Sequence, residues 1–210
     1  MLSILAHRGF WQKPEEKNSL VALRRALVEG FGVETDFRDS AQQLVIAHDP
    51  AGRDALSSAD FFQLYNDCKS SAPLALNIKA DGLREWLKTL LQRHTIKNYF
   101  CFDMSAPETL CYQREGLRFF TRVSEIETSP VLYPEAAGVW LDMFQGDWVK
   151  PADIEKHLAA GKQAALVSPE LHRRAHLDFW ARLRTSGLHT NPNVLLCTDH
   201  PAAAREFFHD

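Results

Sequence analysis

Short apolar runs alternate with longer amphipathic segments along almost the whole chain, and this alternation constrains the fold most. Nine runs have the length and composition of buried strands. The predicted strands are Ser3–Ala6, Gly32–Phe37, Leu44–Ala47, Leu74–Ile78, Tyr99–Phe102, Arg118–Arg122, Gly138–Leu141, Ala164–Val167 and Val194–Cys197. The predicted helices are Asn18–Glu29, Ser57–Lys69, Leu83–His94, Pro107–Gln113, Pro151–Ala160, Ala175–Thr185 and Pro201–Phe208. Strands that alternate with helices indicate an α/β protein with a parallel sheet.

One strand, Leu44–Ala47, follows its predecessor too closely to be parallel to it. The connection from Asp39 to Gln43 is shorter than the dozen or so residues that a parallel crossover needs. We interpret it as a hairpin return. Eight strands remain, each expected to precede a helical run, which predicts a small (β/α)8 TIM-type barrel formed by residues 1–210 as a single domain. An open doubly wound sheet is the structural alternative, although no Gly-x-Gly-x-x-Gly follows the first strand.

Composition excludes several classes of protein. The chain has 210 residues and a net charge of −3, without a long basic run, so we expect no nucleic-acid partner. No stretch approaches the roughly 18 apolar residues of a membrane span. The first apolar run lacks a basic leader and reaches His7 too early for a signal peptide, and the four cysteines show no metal-ligand spacing. We therefore predict a cytoplasmic protein with reduced thiols.

Polar side chains with chemical potential follow the first strands. His7 and Arg8 come directly after strand one, and Glu34 and Asp36 lie two apart on strand two, so both carboxylates point to one face. Such a pair repels itself unless a cation lies between its members. A metal ion is one solution, and a surface pair or partners such as Lys79 are the other.

The next strand ends add further candidates. His48 follows the hairpin strand, and Asn77 and Lys79 share a face of the following strand. His48 beside Asp49 is also typical of a simple turn. Weaker candidates for the barrel mouth are Asp103, Arg122, Asp142 and Ser168, with Arg122 as a possible phosphate contact and Trp11 as a wall of the substrate pocket.

In combination, these motifs resemble the glycerophosphodiester phosphodiesterase family of phospholipase-C-like barrels. The resemblance rests on His7-Arg8-Gly9 after the first strand, Glu34-Thr35-Asp36, and His48-Asp49 fourteen residues after the Glu. Pro14-Glu15 and Asn18-Ser19 match the two halves of a family motif before the first helix, and Thr198-Asp199 with Pro201 matches its last strand end. It is strong over residues 3–50 and weaker beyond.

The resemblance implies a reaction and a set of roles. His7 and His48 would be the acid–base pair, with His7 as base and His48 as acid or the reverse. Glu34, Asp36 and Asn77 would hold a divalent cation, Mg2+ or Ca2+, while Arg8 and Lys79 would contact phosphate. The implied substrate is a small polar phosphodiester of lipid metabolism. The family has a carboxylate at the position of Asn77, so we expect weaker metal binding here.

Two departures leave alternatives open. Because Asn77 supplies no charge, a phosphoryl-ligand-binding barrel with weak or no activity is the second hypothesis. The third is an unrelated barrel enzyme that uses Lys79 as a Schiff base. In addition, only 29 positions separate His48 from Asn77, so the usual family insertion is missing and the mouth is expected to be more open.

Overall fold

The computed structural model describes residues 2–52 and 54–209, which form ten strands and seven α-helices. The strands are β1 Ser3–His7, β2 Gly32–Ser40, β3 Gln43–Ile46, β4 Leu56–Ser57, β5 Leu74–Ile78, β6 Tyr99–Phe102, β7 Phe120–Val123, β8 Gly138–Leu141, β9 Gln163–Val167 and β10 Val194–Thr198. The helices are α1 Leu20–Val28, α2 Ser58–Asp67, α3 Arg84–Arg93, α4 Ala106–Arg114, α5 Pro151–Ala159, α6 Leu177–Thr185 and α7 Pro201–His209.

Eight of the strands form the predicted parallel barrel. Their order around it is β1, β2, β5, β6, β7, β8, β9 and β10, and β10 pairs again with β1. A single parallel bridge between Cys101 and Phe119 spans the step from β6 to β7. The (β/α)8 fold class is therefore confirmed. That residues 1–210 form one domain stays a prediction.

The interpretation of the third strand as a hairpin return is confirmed, because β3 runs antiparallel to β2. A further strand, β4, was not predicted. It pairs with β3 at Leu56 and Ser57 only, and two residues are too few to give a period-2 pattern. Between β3 and β5 the described chain adds β4 and α2 alone, so the missing insertion is also confirmed.

The expectation that every barrel strand precedes a helix is wrong at β7. The described chain forms no α-helix between Val123 and Gly138, where turns and coil lead to β8. Pro130 and Pro134 lack the amide hydrogen that a helix interior needs, and the segment has no apolar face with a helical period. Instead, the Glu125 carboxylate accepts hydrogen bonds from the backbone of residues 144–146 and ties this loop to the next one.

Aromatic rings fill the barrel interior below its mouth. Phe100 stacks on Phe120 with ring centroids 3.7 Å apart, and Phe102 stacks on Trp140 at 4.0 Å. These rings are buried together with Leu5 and small residues of the other strands. The barrel is thus a packed core, and polar chemistry is confined to the carboxyl ends of the strands. None of the described helices is both long and apolar enough to cross a membrane.

Candidate active site

The first βα turn carries His7 and Arg8 and bends sharply. Arg8 has a left-handed backbone (φ 57°), as does Gly9 (φ 87°). A Cβ at Gly9 would lie 2.8 Å from the carbonyl carbon of Ala22, so only glycine lets α1 pack this close to the turn. The bend directs the Arg8 side chain back over the end of β2.

Glu34 and Asp36 are the acidic pair at the end of β2, and both are almost fully buried. Glu34 accepts hydrogen bonds from the Arg8 amide (3.3 Å) and from the Asn77 side-chain amide (3.2 Å). Asp36 Oδ2 accepts a hydrogen bond from Asn18 at 2.9 Å and lies 3.1 Å from Arg8 Nε. The two carboxylates, which were predicted to share a face, are therefore surrounded by polar groups. Two of these, Arg8 and Asn77, were predicted site residues.

Asn77 and Lys79 complete this group from β5. Asp36 and Asn77 are register partners on the two parallel strands. Lys79 Nζ lies 3.3 Å from Asp36 Oδ1. Asp36 is thus held between two cationic side chains, Arg8 and Lys79, whereas Glu34 has neutral donors as its hydrogen-bond partners.

This asymmetry appears in the acidities of the two groups. Burial, and then the neighbouring charge of Asp36, raise the pKa of Glu34 to about 7. Burial opposes ionisation of Asp36 as well, but the charges of Lys79 and Arg8 and the hydrogen bond from Asn18 hold its pKa below the usual value. One carboxylate is therefore neutralised by protein cations, and the other lacks enough positive charge nearby.

His7 is oriented by a residue from the far end of the chain. Its Nδ1 lies 2.6 Å from Asp199 Oδ1, across 192 sequence positions, and its Nε2 lies 3.9 Å from Glu34 Oε2. Burial opposes ionisation of Asp199, yet the hydrogen bond from His7 and the nearby Lys17 keep its pKa below the ordinary value. The sequence motif contained Asp199, but residue spacing gave no sign of this role.

Trp11 lies beside the same histidine. Its indole N–H donates to the His7 carbonyl at 3.2 Å, and the ammonium of Lys17 lies 4.4 Å from its ring centroid. Lys17 also lies 3.7 Å from Asp199 Oδ2. Trp11 therefore belongs to the wall around His7, next to a cation that sequence analysis did not select.

His48 lies farther out than His7. Its side chain is 42% exposed, and Nδ1 lies 3.0 Å from Asp49 Oδ1. It lines one cavity together with Arg8 and Asn18, both of which contact Asp36. His7 therefore lies next to Glu34, whereas His48 lines the cavity that Arg8 and Asn18 also line.

The oxygen atoms at the end of β2 and β5 fit a hard divalent cation. Asn77 Oδ1 is buried and accepts no hydrogen bond from the described residues, while Asp36 Oδ1 faces the Lys79 ammonium at 3.3 Å. Burial and the neighbouring charge of Asp36 raise the pKa of Glu34, and the nearby positive charges do not fully offset them. Carboxylate and amide oxygens are suitable ligands for Mg2+ or Ca2+. Among the described residues no three His, Cys, Asp or Glu side chains are grouped to hold a metal, so a site here would have to include the amide oxygen of Asn77.

The weaker candidates lie across the mouth, and most have local partners. Arg122 donates to Asp103 (2.9 Å) and to Glu127 (2.7 Å). Asp142 Oδ1 lies 2.6 Å from His172 Nε2. Burial raises the pKa of Asp103, against the opposing charge of Arg122. Arg122 is therefore already engaged by two carboxylates, and a phosphate would have to compete with them.

Ser168 has no exposed surface. Its hydroxyl donates to Glu170 and accepts from the indole of Trp180 at 2.9 Å. Glu170 also accepts hydrogen bonds from the Thr198 hydroxyl and the Asp199 amide (3.2 Å), so it braces the strand end that carries Asp199. Ser168 therefore supports this brace and does not line a pocket. Glu170 was not predicted as a site residue, because it lies in a short 3-10 turn without a periodic signal.

Comparison with known proteins supports the fold on which this site is built. No protein-family model matches the chain, and no curated protein matches it in sequence. Solved structures do match. A phosphodiesterase from Oleispira antarctica, in complex with the product sn-glycerol-3-phosphate, has a TM-score of 0.73 at 16% identity, covering 99% of this chain and 97% of that chain.

Two further structures extend the likeness. The glycerophosphodiester phosphodiesterase from Agrobacterium tumefaciens gives a TM-score of 0.66 at 18% identity, covering 98% of this chain and 100% of that chain. A Ca2+-dependent phosphatidylinositol-specific phospholipase C from Streptomyces antibioticus gives 0.58 at 11% identity, covering 99% and 95%. At such identities the likeness establishes the fold. The resemblance expected from the sequence is thus confirmed at the level of the fold: the barrel of this chain is similar to the barrels of solved glycerophosphodiester phosphodiesterases.

Proposed function

We propose that the protein is a phosphoric diester hydrolase that cleaves a small phosphodiester with the help of a divalent cation. One observation carries the proposal: a buried carboxylate pair, Glu34 and Asp36, lies between His7 and the cationic side chains of Arg8 and Lys79. The phosphodiesterase structures that share the fold support the same reaction class.

The cation would be held by oxygen atoms of Glu34, Asp36 and Asn77. When bound, it would supply positive charge to a non-bridging phosphate oxygen and stabilise the charge that develops there. Arg8 and Lys79 sit on either side of Asp36, where they can bind the remaining phosphate oxygens. The added positive charge of the cation would let Glu34 ionise more easily at neutral pH.

The protons would be moved by the two histidines. Asp199 accepts a hydrogen bond from the Nδ1–H group of His7. The lone pair of His7 therefore lies on Nε2, where it can take a proton from water or from a hydroxyl of the substrate. The deprotonated oxygen attacks phosphorus and an ester P–O bond breaks. His48, whose side chain is 42% exposed and lines the same cavity as Arg8, gives a proton to the leaving alkoxide. The same geometry is compatible with the reverse assignment, in which His48 is the base and His7 is the acid.

A direct test uses bis(4-nitrophenyl) phosphate as substrate. We expect turnover that falls at least about a hundredfold on addition of EDTA, returns with Mg2+ or Ca2+, and is lost in Glu34→Ala. The exposed Glu85 gives a matched control, Glu85→Ala. Turnover that ignores both EDTA and Glu34→Ala would overturn the proposal.

The second candidate is a barrel that binds a phosphorylated ligand without cleaving it. It is favoured by one observation, the neutral Asn77 at the metal position, where its amide nitrogen donates to Glu34. In that case a phosphodiester binds to the wild type and is recovered intact. A Schiff-base role of Lys79 would instead be detected by borohydride trapping with a carbonyl compound. The cytoplasmic location and the role in lipid metabolism stay predictions.

A further inference from the structure

A large cavity opens beside His48, between the start of α1 and the loop that connects β3 to β4. Its volume is about 640 Å3, within the range of small-molecule sites. Arg8 and Asn18 line its inner end, and both also contact Asp36. A substrate with its phosphate at Arg8 would therefore extend one ester group into this cavity.

The walls of the cavity differ in chemistry along its length. Near the site the lining includes the cationic side chains of Arg8 and Lys17, together with His48. The rest includes aliphatic side chains on three elements, and among them Leu20 is 41% exposed. These aliphatic residues are Leu20, Ile46, Ala47, Pro50, Ala55 and Leu56. The two acidic members of the lining are both exposed: the side chain of Asp49, which pairs with His48, is 88% exposed, and Asp54 is exposed as well.

This distribution favours one kind of ester group. A glycerol-sized polar group would fill little of the cavity and would gain nothing from its aliphatic wall. An alkyl or acyl chain would bury apolar surface against Leu20 and Leu56, while the phosphate met Arg8 and Lys17. Between β3 and β5 the described residues add only β4 and α2, and Leu20 keeps 41% of its surface exposed.

We propose that the substrate is an amphiphilic phosphodiester, in which one ester group carries a single alkyl or acyl chain that lies in this cavity. The inference rests on the proposed function, since it assumes that the phosphate binds at Arg8. It assigns Leu20 as a specificity-determining residue at the first position of α1.

The test compares methyl, butyl and octyl 4-nitrophenyl phosphates, all below their micelle-forming concentrations. We expect kcat/KM to rise at least about thirtyfold from the methyl to the octyl diester, because each buried methylene favours binding about fourfold at most. Leu20→Glu should remove most of this rise, since it places a carboxylate in the apolar wall. Glu is well tolerated in the first turn of a helix, so the variant is expected to fold.

Val21→Glu is the matched control, because Val21 is the next residue of α1, is 58% exposed and does not line the cavity. It should keep the octyl preference. Turnover with no dependence on chain length in the wild type, or an equal loss of preference in both variants, would overturn the inference while leaving the proposed function intact.

Binding separates the two proposals. Calorimetry on the full chain with methyl phosphate and octyl phosphate measures chain selectivity without catalysis. Tighter binding of octyl phosphate, lost in Leu20→Glu, would support the cavity assignment even if no diester were cleaved. Equal affinity of the two phosphates would overturn it.

Discussion

Two sides of the barrel mouth carry similar numbers of polar side chains and differ in how these are satisfied. On the side of β1, β2 and β5, the buried Asn77 Oδ1 accepts no hydrogen bond from the described residues, and Asp36 Oδ1 faces the Lys79 ammonium at 3.3 Å. On the side of β8 and β9, Asp142 pairs with His172, and Glu170 accepts hydrogen bonds from several donors. We call the first side incomplete, because the acceptor of Asn77 is open to a ligand, and the second complete, because its carboxylates Asp142 and Glu170 have protein partners.

The difference shows why polar residues at strand ends are ambiguous in a barrel. Burying an unpartnered acceptor costs free energy, so a protein that keeps one has a use for it. The pKa of Glu34, raised to about 7 by burial and by Asp36, is a second sign that this side of the mouth lacks a partner for its polar groups. In contrast, the free-energy cost of burying Asp142 is offset by its contact with His172, and Asp142 is best explained as a structural residue.

The strongest test of this difference removes one histidine from each side of the mouth. His7→Ala should lower kcat for a phosphodiester about 10²- to 10⁴-fold, the usual contribution of a general base. His172→Ala should lower it less than about tenfold while costing about 1–3 kcal/mol of stability, because Asp142 loses its partner. Steady-state kinetics and denaturant unfolding of both variants measure the two effects. A kinetic loss in His172→Ala as large as that in His7→Ala would contradict the division.

The sequence predicts the incomplete side well because its signals are local. Glu34 with Asp36, and Asn77 with Lys79, are two apart on strands, so each pair shares a face whatever the tertiary structure. The barrel then places all four at the same strand ends. The general fold follows from the alternation of runs in the same way, except at the proline-containing loop after β7.

The complete side could not be predicted because its contacts depend on distant residues. Glu170 is recognised only by its bonds to Ser168 and Thr198, and the second of these is 28 positions away. The same limit applies to Asp199, whose partner His7 lies at the other end of the chain. The left-handed turn at Arg8, which directs its side chain to Asp36, also has no signal in residue type.

Removing the charge of Glu34 tests the same difference through the free energy of unfolding. Its native pKa of about 7 exceeds the ordinary value of 4.5, so the folded protein binds this proton more tightly than the unfolded chain. The free energy of unfolding should therefore fall as pH rises from about 4.5 to about 7, by at most about 3 kcal/mol. In EDTA at pH 8, Glu34→Gln should be more stable than wild type by about 2–3 kcal/mol. With Mg2+ or Ca2+ supplied, the variant should still be inactive.

Urea unfolding between pH 4 and 8 measures this effect. The depressed pKa of Asp36 acts in the opposite direction at lower pH, where its protonation costs stability. Glu85→Gln, a change at an exposed site, serves as the control and should leave the profile unaltered. If Glu34→Gln were less stable than wild type at pH 8, the charged carboxylate of Glu34 would already be stabilised by its surroundings, and this explanation would be wrong.

Adding a charge at Asn77 is a smaller perturbation of the same side. Asn77→Glu should tighten Mg2+ or Ca2+ binding at least about tenfold, because a third carboxylate adds charge to the ligand set. Isothermal titration calorimetry gives the affinity directly. Asn193→Glu adds the same charge at an exposed position at the opposite end of the barrel and should have no effect. An unchanged affinity in Asn77→Glu would remove this position from the metal site.

The smallest expected effect tests the complete side at Ser168. Ser168→Ala removes the donor to Glu170 and leaves the buried Trp180 indole without its acceptor, which should cost about 1–3 kcal/mol of stability. Activity should stay within about twofold of wild type, since Thr198 and the Asp199 amide still hold Glu170. Ser71→Ala, at an exposed loop position, gives the baseline for a serine deletion. If Ser168→Ala instead reduced kcat strongly at normal stability, the brace around Asp199 would be part of the catalytic side, and the boundary between the two sides would have to move.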